Sequence, residues 1–296
     1  MKFRTEVQVA CDGLQIEPLE RVLLVGSCFA DNMGRHFQEE RFPTVCNPFG
    51  TMYNPASVLH TVQRLCRQWD NEGEVPPRVV FLTLGTNHIY RLKETGEIVD
   101  NCQKRPQRLF SEEVLSVSEC ADYLQQAIDA LHSRRPDVQV VFTVSPIRYA
   151  KYGYHGSQLS KAVLLMAVDS IVAHDSSATH SGLAFSAKDK EAATAPTSPA
   201  ATYYFPAYEL VMDELRDYRF YAPDMLHPSE QAVDYLWERL VGECFSPRAR
   251  QWLDEWRPVK EALHHRPFNP DSEDYRQFLA KTREREAALL AQYGGL

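Results

Sequence analysis

No run of about 18 or more apolar residues occurs in this 296-residue sequence. Its longest apolar runs are strand-sized, so neither a membrane-spanning helix nor a membrane partner is expected. The first ten residues, MKFRTEVQVA, lack the apolar segment of a secretory signal, which points to the cytoplasm. Basic charge is also short. Lys and Arg number 32 against 40 Asp and Glu, a formal net charge of -8 with no concentrated basic run, so nucleic acid is not an expected partner. The seven cysteines form no C-x-x-C pair, are odd in number and are scattered over separate segments, as in Cys28, Cys46, Cys66, Cys102 and Cys120. That pattern reads as reduced thiols rather than a disulfide framework. There is no H-E-x-x-H, no dense carboxylate cluster and no phosphate-cradling glycine loop, since Gly34 and Gly85 stand alone; neither a metal nor another cofactor is expected. No internal repeat is visible. What remains is an ordinary globular mixture, 44% hydrophobic and 24% charged, long enough for one large α/β domain with an appendage.

Four short apolar runs read as buried parallel strands: residues 21–26 (RVLLVG), 78–85 (RVVFLTLG), 138–145 (VQVVFTVS) and 202–205 (TYYF). Helical spacing falls between them. Residues 57–69 carry Val58, Leu59, Val62, Leu65 and Cys66 on one side, and Leu124, Ala127, Ile128 and Leu131 repeat the i, i+3, i+4, i+7 rule. Residues 157–174 are apolar enough for a well-buried helix. Strands alternating with helices predict a three-layer α/β/α sandwich around a central parallel sheet. Residues 175–201, rich in Ser, Ala and Thr, read in part as an exposed loop. From about residue 246 the chain becomes charged and helical, and residues 271–293 predict an amphipathic surface helix. The expected division is a domain over residues 1–246 and a helical extension over 247–296.

Chemistry concentrates at two places. The first strand runs straight into Gly26-Ser27 and then a helix-like segment, which puts Ser27 at the carboxyl edge of the sheet and at a helix amino terminus, where N–H groups favour developing negative charge. A plain helix cap would use the same serine. In the second place, Pro223-Asp224-Met225-Leu226-His227-Pro228-Ser229 puts an acid and an imidazole three residues apart just before a helix. A serine hydroxyl needs a base whose tautomer a carboxylate fixes, and Asp224 with His227 could supply it to Ser27. Cys28 is the competing nucleophile, because a thiol is intrinsically the stronger one. Adjacent turn residues point different ways, and the position after Gly26 favours Ser27.

Gly26-Ser27-Cys28-Phe29-Ala30 spells a signature that gives its name to the GSCFA family, placed among the SGNH (GDSL-like) hydrolases, and the chain resembles that family. The resemblance extends through Asn47-Pro48-Phe49-Gly50, Asn101-Cys102-Gln103-Lys104, Thr143-Val144-Ser145-Pro146-Ile147-Arg148, Gln158-Leu159-Ser160-Lys161-Ala162, Tyr204-Phe205-Pro206, Asp224 to Pro228 and His265-Arg266-Pro267-Phe268. It implies an SGNH, flavodoxin-like fold with Ser27 as nucleophile and Asp224/His227 as its base. The family pattern has histidine where this chain has Gln103, which cannot titrate.

An SGNH site needs an oxyanion hole. The expected donors are the Ser27 and Gly50 N–H groups and the Asn87 side chain, with Asn54 and Asn101 as rivals for the amide. Asn101, Arg148 and His155 are the expected substrate contacts; His88 and Lys161 have weaker claims, and each of these has an ordinary local reading as a loop or helix-end residue. The chemistry points to a serine esterase or acyltransferase acting through an acyl-enzyme on a small-molecule or carbohydrate ester, O-acetyl groups first. The alternative is a catalytically silent glycan- or metabolite-binding module on the same fold. No oligomeric state follows from the sequence.

Overall fold

The computed structural model describes residues 4–11, 13–100, 102, 105–177 and 201–294. Five strands make a parallel sheet: β1 (Val22–Gly26), β2 (Thr44–Cys46), β3 (Val79–Leu84), β7 (Gln139–Val144) and β8 (Ala201–Tyr204), in the order β2-β1-β3-β7-β8. β1, β3 and β7 are almost wholly buried because helices cover both faces, so apolar residues run continuously instead of alternating. Val22, Leu24, Val79 and Phe81 face one core, with Phe29, Met33 and Phe37 of α1 (Cys28–Glu39) and residues of α6 (Glu230–Cys244). Leu23, Val25, Val80 and Leu82 face the other, with α2 (Pro55–Glu72), α3 (Val117–His132) and α4 (Gly153–Ser177). The expected three-layer sandwich is present. The sheet reverses its winding between β1 and β3, so their carboxyl ends border the crevice where ligands sit in open α/β sheets.

Start and stop signals are local. Asn54 Oδ1 accepts the Ser57 N–H at 2.9 Å, Pro55 fills the first position of α2, and Gly73 ends the helix in the left-handed region. Ser116 and Glu119 form a reciprocal capping box on α3.

Several features depart from the sequence reading. Residues 153–156 form the first turn of α4, so His155 stands on a helix and not in a loop. A three-stranded antiparallel sheet, β5-β4-β6, made of β4 (His88–Leu92), β5 (Ile98–Val99) and β6 (Phe110–Val114), lies between β3 and α3. After β8 the short α5 (Ala207–Glu209) runs into a π-helical turn, Leu210–Leu215. The Ser/Ala/Thr-rich segment expected as a loop lies outside the described residues over 178–200. By length and composition alone, Ala150–Ala173 could cross a membrane, yet Leu164, Ala167, Val168 and Ile171 are packed in the core.

The carboxyl-terminal segment forms α7 (Pro247–His264) and α8 (Glu273–Tyr293). Trp252 and Trp256 stack with centroids 5.6 Å apart and donate their indole N–H groups to the Glu40 and Glu39 carbonyls. Those carbonyls close α1, whose last turn has no helical partners for them. Tyr293 of α8 meets Trp252 edge-on at 5.3 Å. Both helices therefore share the core that α1 and α6 line.

Candidate active site

The β1–α1 junction is built around Gly26, whose φ of +141° suits glycine and whose added Cβ would lie 2.0 Å from the Thr83 carbonyl oxygen. Gly26 pairs with Thr83 in register across β1 and β3. Its N–H donates to Asn47 Oδ1 at 2.8 Å, and Asn47 Nδ2 donates to Asp31 Oδ1 at 2.7 Å, which ties the turn to the following helix. Ser27 follows in extended backbone as the cap of α1 and is only 1% exposed. Its N–H donates to Thr83 Oγ1 at 2.8 Å and to the Thr83 carbonyl at 3.1 Å. Its Oγ accepts the Phe29 N–H at 3.3 Å and lies 3.1 Å from Thr83 Oγ1.

The acid–imidazole pair stands on a tight loop before α6. Asp224 Oδ1 accepts the N–H groups of Leu226 and His227 at 2.9 and 3.0 Å, while Oδ2 meets His227 Nδ1 at 2.5 Å. The two backbone N–H groups, with the His227 ring, hold the Asp224 carboxyl down at about 2. With Nδ1 turned to the carboxylate, Nε2 is the nitrogen left for other partners. Met225 takes a positive φ of 59°, the Ala222 N–H donates to the His227 carbonyl, and Tyr221 bridges Pro228, which together close the loop. Arg148, just beyond β7, braces it: its N–H donates to the Leu226 carbonyl at 2.9 Å, its guanidinium to the Met225 carbonyl at 3.3 Å, and Tyr154 and Tyr221 lie against that guanidinium. The hydrogen bonds of Ser27 Oγ run to Thr83 and Phe29, and that of His227 Nδ1 to Asp224. Among the described residues no direct bond joins Ser27 to His227.

The other expected site residues divide. The Gly50 N–H, in a turn with φ +95°, donates to the Asn47 carbonyl at 2.9 Å. Asn87 is 1% exposed; its Nδ2 donates to the Leu115 carbonyl at 2.7 Å, and its Oδ1 is buried without a partner. Asn54 caps α2. His155 is exposed in the first turn of α4. Asn101 and Gln103 lie outside the described residues. Cys28 is half-buried, with Sγ 3.4 Å from the Tyr53 hydroxyl.

Two features escaped the sequence reading. Lys161, weighed there as a substrate contact or a routine helix-end charge, is fully buried, and its ammonium donates to the Gly85 carbonyl at 2.7 Å and the Ser145 carbonyl at 2.8 Å. Burial pushes that ammonium down to about 7. It fastens the carboxyl ends of β3 and β7, and the apolar face of α4 was the only signal that it points inward. The second is a row of rings leading away from Cys28. Tyr53 packs against Tyr149, Tyr149 against Tyr152, and Tyr152 stacks on His88 with centroids 3.6 Å apart. Glu112 bonds the Tyr152 hydroxyl and pairs with Lys151 at 3.1 Å. Burial lowers the His88 pKa and raises that of Tyr53. Among the described residues, no group of three or more His, Cys, Asp or Glu could hold a metal ion.

The model of the GSCFA family matches residues 21–75 and 76–240, and that of the GSCFA domain protein, C-terminal domain, matches residues 256–296. No curated protein sequence matches the chain. Solved structures similar to it include a carbohydrate esterase family 3 protein from Talaromyces cellulolyticus, 10% identical with a TM-score of 0.44 over 79% of this chain and 98% of that one. Another is a catalytic mutant of Axe2, an acetylxylan esterase from Geobacillus stearothermophilus, 11% identical with a TM-score of 0.43 over 79% and 98%. A member of the lipolytic protein G-D-S-L family from Veillonella parvula DSM 2008 is 12% identical, with a TM-score of 0.42 over 75% and 96%.

Proposed function

The chain belongs to the GSCFA family, and from that premise we propose that it is a serine esterase or acyltransferase for small O-acyl esters, with O-acetyl groups on carbohydrates as the first substrate class. One observation carries the reading: Asp224 grips His227 Nδ1 at 2.5 Å with one oxygen while two backbone N–H groups secure the other. A carboxylate fixed in that way sets the imidazole tautomer and stabilises the imidazolium that forms when the ring takes a proton. In this reading His227 Nε2 takes the proton of Ser27 Oγ, and the oxygen's electron pair bonds to the acyl carbon. The carbonyl oxygen becomes an oxyanion. As it collapses, the bond to the leaving alcohol breaks and His227 returns the proton to that oxygen. Water or a second alcohol then repeats the sequence on the acyl-enzyme, which separates hydrolase from transferase only by acceptor.

The oxyanion donors in this reading are the Ser27 and Gly50 N–H groups and Asn87. The two backbone groups already donate within the protein and must share their hydrogens, whereas Asn87 Nδ2 carries a second hydrogen besides the one on Leu115. The row Tyr53, Tyr149, Tyr152 and His88 supports a sugar, because flat rings beside hydroxyl and carboxylate groups suit a pyranose face and its edge. Asn101, Arg148 and His155 are the proposed substrate contacts, Arg148 also by bracing the His227 loop.

The deep burial of Ser27, with Oγ turned to Thr83, favours a second reading as a glycan- or metabolite-binding module. Labelling with a fluorophosphonate, which captures an activated serine, decides between them. Stoichiometric labelling lost in Ser27→Ala supports the enzyme; an unlabelled wild-type protein that still binds acetylated sugars supports the module.

A further inference from the structure

Thr83 stands at the carboxyl end of β3, one strand from the nucleophile, with 1% exposure. Its Oγ1 receives the Ser27 N–H at 2.8 Å and lies 3.1 Å from Ser27 Oγ. A threonine hydroxyl has one hydrogen and two lone pairs. One lone pair is taken by the Ser27 N–H, so the remaining question is where the hydrogen goes. Among the described residues Ser27 Oγ is the one side-chain or backbone acceptor that Thr83 Oγ1 meets. Thr143, its partner in register on β7, buries a hydroxyl that makes no hydrogen bond and does not compete. Either hydroxyl can donate across this contact, and whichever does leaves the other's hydrogen without an acceptor among the described residues; donation by Thr83 makes the unspent hydrogen that of Ser27, the one a base must take.

We propose, on the reading of Ser27 as nucleophile, that Thr83 is the positioning residue that primes it: the Thr83 hydroxyl donates to Ser27 Oγ and leaves the serine's own hydrogen free for His227. Ser27 Oγ then receives two hydrogen bonds, from Thr83 and from the Phe29 N–H at 3.3 Å. Both strengthen as negative charge gathers on the oxygen. The Ser27 proton passes to His227 Nε2, the Oγ electron pair forms the bond to the acyl carbon, and Thr83 keeps its own hydrogen throughout. Because the Ser27 N–H occupies one side of the same threonine oxygen, the backbone and the side chain of the nucleophile are fixed by a single group. Gly26 makes the approach possible, since an added Cβ there would fall 2.6 Å from Thr83 Oγ1.

The test compares wild type, Thr83→Val, Thr83→Ala and Thr83→Ser for the rate of fluorophosphonate labelling and for p-nitrophenyl acetate turnover, with circular dichroism to verify folding. Thr83→Val keeps the shape and loses the hydroxyl, and Thr83→Ala carries the same comparison if valine unfolds the protein. Both are expected to label about tenfold more slowly or worse, with kcat reduced and KM unchanged, as removal of one transition-state hydrogen bond implies. Thr83→Ser is expected within about threefold of wild type, which a purely structural role for the methyl group would not produce. Labelling of folded Thr83→Val or Thr83→Ala at the wild-type rate overturns the role of Thr83 alone. Wild-type protein that does not label at all overturns the nucleophile on which the role rests.

Discussion

At the scale of single residues, Asp224 and Lys161 show how environment sets charge. Asp224 owes its low pKa to hydrogen bonds on both oxygens, and it is solvent-facing. Its folded value near 2 lies below the ordinary 3.9 of an unfolded aspartate, so the stability its ionisation contributes is complete above about pH 4 and is lost as pH falls through about 2. Asp224→Asn would turn an amide N–H toward His227 Nδ1 and favour the tautomer with hydrogen on Nε2, which cannot act as base. Ester turnover is expected to fall by about 10²- to 10⁴-fold with folding intact, as a kcat measurement beside circular dichroism would report. Lys161 works in the opposite direction. Burial lowers its folded pKa to about 7 while the unfolded side chain holds its proton to about 10.4, so between those values the unfolded chain binds more protons and stability rises with pH. Relative to Lys161→Met, wild type is expected to gain stability between pH 7 and 10, at most about 1.4 kcal/mol per pH unit. A difference between the two melting curves that stays flat with pH would contradict that assignment.

At the scale of elements, α7 is fastened to the carboxyl end of α1 by its side chains, and α8 packs along α7. Trp252 and Trp256 are buried and close the carbonyl end of α1, while Lys260 pairs with Glu40. Burial raises the Glu40 pKa, against the pull of that lysine. Along α8 only Thr282, Leu289 and Tyr293 are buried, and Glu286 meets Arg41 at 2.5 Å near the surface. Trp252→Ala empties a site with 0% exposure and orphans the Glu40 carbonyl, so a loss of about 3–5 kcal/mol is expected in denaturant unfolding. Labelling of Ser27 at low temperature is expected to survive, because α7 meets α1 at the end far from the nucleophile. The same scale explains which elements were legible in the sequence. β1, β3 and β7 announced themselves because both faces are buried and the apolar runs are unbroken. β4 and β6 did not: they pair through Arg91 with Glu113 and Tyr90 with Glu112, so their exposed faces look like loop sequence. β2 is three residues long and half-buried, too short for any pattern.

At the scale of the whole molecule, the sheet order puts Ser27 and Thr83 at the switch point between β1 and β3, and the loop after β7 carries Arg148, which braces the Asp224–His227 loop. The fold was readable from apolar runs alternating with helical spacing. Ser27, Asp224 and His227 stood out as candidates from the strand-Gly-Ser junction and the D-x-x-H spacing, whereas Thr83 did not stand out at all. What these residues bond to was not readable. The Thr83 hydroxyl under Ser27, the Leu115 carbonyl that holds Asn87 and the strand ends that hold Lys161 are contacts across 56, 28 and at least 16 residues of chain, and one-dimensional spacing carries no trace of them. The central claim is that Ser27, served by His227, is the nucleophile. The most direct measurement is p-nitrophenyl acetate turnover by wild type, Ser27→Ala, His227→Ala and Cys28→Ala, each verified as folded. Activity is expected to be lost in the first two variants and largely kept in Cys28→Ala; activity that survives Ser27→Ala and disappears with Cys28→Ala would contradict a serine nucleophile and move the role to the thiol.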